Sequence, residues 1–224
     1  MSQQLTRNLQ QTVSAGHLCL TALPQCPDIS LYLISEDYPR GRLPDEEMLA
    51  IMERPAYWAF CWASGQVLAA HLLVHPEICR NRTVLDLGAG SGVVAIAAAM
   101  TGASRVIACD LDHHALDASR INAEANGVSV ELLDDLEALD EKVDLLIAAD
   151  VLYDRENLEW LDRLQEFSNE ALIADSRIRD PEVFSGYEKL AEVTSSTIPD
   201  LDELKEFGEV SIYRRFFNAY NKLL

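Results

Sequence analysis

Residues 84–92 read VLDLGAGSG. An apolar run ends in an acid, and three glycines then alternate with small residues before a second apolar run, VVAIAAAM. A short apolar strand that feeds directly into a glycine loop and then a helix is the first turn of an open parallel α/β sheet, where nucleotide-like ligands sit. Glycine allows positive φ and leaves no Cβ in a ligand's way. The loop is therefore expected to cradle part of a cofactor.

Spacing narrows the choice. The dinucleotide fingerprint is GxGxxG. Here Gly88 and Gly90 are followed by Gly92, and the position that fingerprint needs is Val93, so the pattern is DxGxGxG. Asp86 lies at the strand end and is expected to face the ligand. A carboxylate repels a pyrophosphate and attracts an ammonium. S-adenosylmethionine carries an α-ammonium and a sulfonium and no phosphate, so charge favours that methyl donor over NAD. Asp110 ends the next strand, RVIACD, where a carboxylate accepts ribose hydroxyls. Asp134 and Asp135 follow VELL near the expected adenine edge, and Asp150 ends VDLLIAAD. One acid at a strand end is ordinary helix capping. Four successive strands ending in a carboxylate point to one functional rim.

The rest of the chain supports a parallel sheet. TVLDLG, RVIACD, VSVELLD, VDLLIAAD and EALIAD read as strands, and helical runs lie between most of them. Alternation of this kind predicts an α/β, Rossmann-like, seven-stranded, mostly parallel sheet with helices on both faces. YWAFCWASGQVLAAHLLVHP reads as a helix ahead of the glycine loop. After Asp175, PEVFSGYEKLAE reads as a helix, and VTSSTIP and FGEVSIYRRF as an antiparallel C-terminal hairpin. Residues 1–55 form a small N-terminal extension and 56–224 the main domain. In the extension Leu5, Leu9 and Val13 make a helical stripe, HLCLTAL and SLYLI two short strands, and DEEMLAIMERP a helix capped by Asp45, with Met48 and Met52 as core filler.

The chain has 37 acids against 18 Lys plus Arg, a net charge of −19. Such a surface repels polyanions, which argues against nucleic-acid substrates and suits a cationic target such as a lysine-bearing protein. The five cysteines are irregularly spaced with no CxxC pair, as expected of reduced thiols in a cytoplasmic protein rather than a disulfide framework or zinc site. No stretch is long and apolar enough to span a bilayer, so no membrane partner is expected. His113 and His114 read as a solvated turn rather than metal ligands, Cys109 as inert, Asp175 as a cap, and Arg214 and Arg215 as exposed.

DLGAGSG, the acid-x-x-Tyr run ADVLYD at 149–154, and PAYWAFCWASGQVL upstream together resemble class I methyltransferases. Within that class they resemble family 16 protein lysine methyltransferases, above all those acting on the electron transfer flavoprotein β subunit. The resemblance runs from about Trp58 to Phe216. It implies that Gly88, Gly90 and Gly92 form the methionine-side loop, with Asp86 facing the amino group. Asp110 would take the ribose hydroxyls, Leu111 would pack on adenine, Trp62 would close the methionine end, and Ala149 would line the cleft with backbone. Asp150 and Tyr153 would stand where a substrate lysine enters. The function implied is methylation of a protein lysine. The alternatives are methylation of a small-molecule amine, as in nicotinamide-type transferases, and a non-catalytic cofactor-binding module.

Overall fold

The structure is a computed structural model that describes residues 2–38, 41, 44–152 and 155–217. In chain order its helices are α1 (Ser2–Leu9), α2 (Asp45–Glu53), α3 (Ala63–Val74), α4 (Val93–Met100), α5 (His113–Ala125) and α6 (Trp160–Phe167). Its strands are β1 (Leu18–Ala22), β2 (Ser30–Ile34), β3 (Thr83–Leu87), β4 (Arg105–Cys109), β5 (Glu131–Leu133), β6 (Leu145–Ala149), β7 (Glu170–Asp175), β8 (Glu188–Thr194) and β9 (Glu209–Phe216). β1 and β2 form an antiparallel pair. The other seven form one sheet in the order β5-β4-β3-β6-β7-β9-β8. β3 to β7 run parallel, and β9 is antiparallel to both β7 and β8. The expected architecture is thus present.

The central strands are apolar on both faces because helices cover both. Val84, Ile147 and Ala174 face α3 and α4; Leu85, Ala148 and Ile173 face α6. α3 is buried along most of its length, from Ala63 to Ala69 and again at Leu72. α5 begins where Asp112 accepts the His114 amide at 2.8 Å, and ends before Gly127, whose φ is +71°. The outer face of α5 carries the N-terminal segment. Leu5 and Leu9 of α1 and Ile34 of β2 pack with Trp58 on Ala115, Ala118 and Ile121. Asn122 and Asn126 side chains bond the Tyr32 amide and the Ser30 amide and carbonyl, sealing the outer edge of β2.

Several expectations fail locally. The helix expected from Tyr57 starts only at Ala63, because the Cys61 amide and carbonyl both bond Ile198 at 2.8 Å as an isolated antiparallel bridge. A backbone committed to that bridge cannot enter a helical ladder. PEVFSGYEKLAE is not a helix: a 3-10 turn over Pro181–Phe184 stops at Gly186, with φ +83°, and β8 takes the second half. β8 is a polar edge strand whose apolar period is weak, so its sequence reads ambiguously. The strand expected over VTSSTIP ends at Thr194. Met48 and Met52 are exposed, Met52 at 78%, because α2 buries no residue. Pro44, not Asp45, holds the N-cap position of α2.

Arg214 is not a free surface charge. Its Nε donates to Glu170 Oε1 at 2.6 Å, and Arg82 Nη2 meets Glu170 Oε2 at 2.8 Å. Glu170 is 3% exposed and opens β7, so this cluster ties β3, β7 and β9 at the end of the sheet opposite the glycine loop. Glu170→Ala strands two half-buried guanidinium groups and is expected to lower stability by about 3 kcal/mol in urea unfolding. A loss below about 1 kcal/mol would show instead that both arginines relax into water.

Candidate active site

The chain winds β3, β4, β5 to one side, then returns to lay β6 and β7 on the other. The crevice beyond the C-terminal ends of β3 and β6 is the switch point of such a sheet, where ligands bind. The loop Gly88–Gly92 lies there. Its glycines have φ of +69°, +53° and +81°, the left-handed region that favours glycine. The loop is pinned from the β4 side. The Gly88 and Ala89 amides donate to the Cys109 carbonyl at 2.8 and 3.0 Å, and the Gly90 amide donates to Asp110 Oδ2 at 2.9 Å. From α5, Ser119 Oγ donates to the Gly90 carbonyl and Asn122 Nδ2 to the Ser91 carbonyl.

The three glycines are required for different reasons. A Cβ on Gly88 would meet Val151 Cγ1 at 2.6 Å, and one on Gly92 would meet the Ser119 backbone at 2.7 Å. A Cβ on Gly90 would find only the Gly88 carbonyl, at 3.8 Å. At Gly90 the missing side chain leaves open space, the room that a close-lying ligand needs. The donor set also fits a ribose. Asp110 Oδ1 and Oδ2 each accept one amide, from Asp112 and Gly90, and a carboxylate has lone pairs left for two hydroxyls. Burial pushes the Asp110 carboxyl upward. Leu111 beside it is 83% exposed, an apolar surface available to a flat base. The residues present therefore fit the adenosyl part of the cofactor expected from the sequence.

Asp86 is placed differently from the expectation. It is the fourth residue of β3, on the α4 side, and is 2% exposed. Its Oδ2 accepts the Ala95 amide at 2.9 Å, so it braces the start of α4. Burial pushes its carboxyl up to about 8, with the Asp110 charge adding to the rise. A neighbouring ammonium favours the ionised form of such a group. Asp134 is exposed just past β5, and Asp135 accepts the Glu137 amide at 2.9 Å as a cap.

Ala149 ends β6, half-buried, and Asp150 follows it with φ +54°. Both Asp150 oxygens are held: Oδ1 accepts from Ser64 Oγ at 2.6 Å and Ser176 Oγ at 3.0 Å, and Oδ2 accepts the Ser64 amide at 3.1 Å. Burial raises the Asp150 carboxyl, and the Asp175 charge raises it further. Trp62 stands two residues before Ser64, edge-on to Tyr57 at 5.7 Å and tilted on Phe60 at 5.8 Å, with Nε1 donating to the Tyr57 carbonyl. Tyr153 lies outside the described residues. The structure thus brings the glycine loop and Asp110 together on the β3–β4 side and sets Trp62 and Asp150 around the start of α3. Ser64 and Ser176 escaped the sequence reading. Their only signal is spatial, since α3 and the β7 end meet Asp150 through folding alone.

This sheet order, with a glycine-floored, acid-rimmed crevice at its switch point, is the architecture of the class I methyltransferases. Solved structures agree on the fold. The ribosomal protein L11 methylase of Lactobacillus delbrueckii subsp. bulgaricus superposes with TM-score 0.53 at 22% identity, over 69% of this chain and 79% of that one. The N-methyltransferase NodS of Bradyrhizobium japonicum, in complex with S-adenosyl-L-homocysteine, gives 0.53 at 13% identity, over 69% and 88%. The family model described as ribosomal protein L11 methyltransferase (PrmA) matches residues 72–157. The electron transfer flavoprotein beta subunit lysine methyltransferase of Xenopus laevis is 34% identical over 167 residues, 71% of this chain and 67% of that protein. The Homo sapiens enzyme of the same name is 37% identical over 133 residues, 58% of this chain and 50% of that protein. The chain belongs to the family of the electron transfer flavoprotein β subunit lysine methyltransferases. It spans about half the length of the human and mouse members.

Two substitutions separate the roles of the loop glycines. Gly90→Ala is expected to fold, with a backbone penalty of about 1 kcal/mol, yet to weaken S-adenosylhomocysteine binding about tenfold or more in calorimetry. Gly92→Ala is expected to lower stability by about 2 kcal/mol or more, through its strained φ and the Ser119 backbone. Unchanged binding in the first variant would remove Gly90 from the ligand cradle.

Proposed function

We propose that this protein transfers a methyl group from S-adenosylmethionine to a lysine side chain of a protein, with the electron transfer flavoprotein β subunit as the first substrate to test. The observation that carries this reading is Asp150: a carboxyl fixed by Ser64 and Ser176 at the end of β6, across the switch point from the glycine loop. An acid so placed suits an incoming cation, and the excess of 37 acids over 18 basic residues suits a cationic target as well. The family relationship supports the same chemistry.

In this reading the loop Gly88–Gly92 takes the methionine side, with Asp86 behind it bracing the start of α4. Asp110 receives the ribose hydroxyls, Leu111 meets one face of adenine, and Asp134 lies towards the adenine edge. Ala149 lines the cleft with backbone, and Trp62 closes the methionine end. When bound, the cofactor supplies an electrophilic methyl on a sulfonium. The protein's work is alignment and exclusion of water. A free lysine has a pKa of about 10.4 and must lose a proton before it attacks. Desolvation beside Trp62 and a neighbouring positive charge both favour the neutral amine. Asp150 orients the amine by hydrogen bonding. The free thiols, with Cys19 exposed, suit a cytoplasmic setting.

Incubation with tritiated methyl donor and purified electron transfer flavoprotein β subunit, alongside lysate from the protein's own source, tests the substrate class. Label in a protein band is expected; label only in the small-molecule fraction would favour a nicotinamide-type amine methyltransferase. Asp150→Asn is expected to cut turnover about tenfold or more while S-adenosylhomocysteine affinity holds. Unchanged turnover in that variant would remove the orienting role.

A further inference from the structure

A sheet edge presents a row of unpaired amides and carbonyls, and stable proteins blunt it. Among the described residues the two sheets have four edge strands, β1, β2, β5 and β8. Three are blunted. β2 is sealed by the Asn122 and Asn126 side chains. β5 is three residues long. β8 carries Glu188, Lys189 and Glu192 and a register shift between Lys189 and Ala191. The fourth, β1, reads LCLTA, with no charge, no proline and an unbroken register against β2.

The outer edge of β1 is open. The Ser35 amide donates to the His17 carbonyl at 2.9 Å and the Leu23 amide to the Ile29 carbonyl at 3.1 Å, while Cys19 and Thr21 stand opposite Leu33 and Leu31. Antiparallel bonding alternates along a strand, so Cys19 and Thr21 bond β2 and the backbone groups of Leu20 and Ala22 point outward. Both of these residues are exposed, Leu20 at 53%. Among the described residues nothing bonds their outward amides and carbonyls. Beside β1 lies a groove of about 250 Å³, with Cys19 and Thr21 on one wall and Ile198 and Pro199 on the other. Contacts connect both walls to Trp62. Ile198 is bridged to Cys61, the residue before Trp62. Glu36 also lines the groove; two residues on, Tyr38 meets Phe60 edge-on at 6.2 Å, and Phe60 tilts on Trp62.

We propose that β1 and this groove dock the protein substrate, with an extended, basic stretch beside the target lysine adding to β1 as a further strand; the proposal rests on the protein-lysine reading above. A backbone laid along β1 meets the open groups of Leu20 and Ala22, and every second side chain falls on the face of Cys19 and Thr21, over the groove. Main-chain bonds hold such a stretch, and charge selects a basic one. Asp37 is paired with His17 at 3.3 Å, whereas Glu36 is exposed and makes no ion pair among the described residues. A second copy of this chain would bring a net charge of −19 against the same charge, which opposes edge-to-edge pairing between copies.

The test joins amide hydrogen exchange, followed by NMR, to methyl-transfer kinetics, with purified electron transfer flavoprotein β subunit as the probe. Adding the subunit together with S-adenosylhomocysteine should slow exchange at the Leu20 and Ala22 amides about tenfold or more. Leu20→Pro removes an outward amide and no bond to β2, so the hairpin keeps its ladder. It should raise KM for the subunit about tenfold while KM for the methyl donor holds. Glu36→Lys, at an exposed position away from the ladder, should raise the same KM about fivefold. Methylation of the subunit with no slowing at Leu20 and Ala22, and an unchanged KM in both variants, would overturn the docking edge and leave the functional reading standing. Slowing without methyl transfer would keep the edge and overturn that reading; absence of both removes both. Slowing that grows with this protein's own concentration, without the subunit, would assign the edge to a second copy and overturn the proposal.

Discussion

The hydrogen bond from the Gly90 amide to the Asp110 carboxylate joins the two halves of the ligand crevice. It ties a loop of left-handed glycines, fed by β3, to the end of β4. The same carboxylate accepts the Asp112 amide and so also fixes the entry to α5. α5 answers with Ser119 and Asn122, which hold the loop carbonyls. Loop, strand end and helix are therefore joined, and the space beside Gly90 is open. Preorganisation of this kind keeps the ordering penalty of binding low.

Around the switch point the logic is electrostatic. Asp86, Asp110, Asp150 and Asp175 all have raised carboxyls, and burial is the first cause in each. A fold that only needed stability would pair such groups with cations, as Glu170 is paired with Arg82 and Arg214 at the far end of the sheet. These four carboxyls instead meet backbone amides and serine hydroxyls. That contrast within one molecule separates a structural cluster from a site held ready for a positive ligand.

Much of this is visible in the sequence where local pattern and tertiary role agree. The VLDLGAGSG run needs its strand, its glycines and its apolar helix in that order, and the structure has them. The strand-end acids are legible because parallel strands expose their C-terminal ends on one rim. The failures occur where a distant contact overrides the local pattern. Cys61 is drawn into a bridge with Ile198, which delays α3, and the edge strand β8 has too polar a sequence to declare its period. Asp86 reads as a ligand contact and is set beneath α4, because a strand residue's face depends on register, which one sequence does not reveal. Ser64 and Ser176 carry no motif at all; only their approach to Asp150 gives them a role.

The glycine loop and the strand-end acids together form a crevice for a phosphate-free sulfur nucleoside that carries an ammonium. Titration calorimetry with S-adenosylhomocysteine and, separately, with NAD tests this most directly. The account predicts saturable heat with the first and none with the second. Silence with the sulfur nucleoside and clear uptake of the dinucleotide would contradict it.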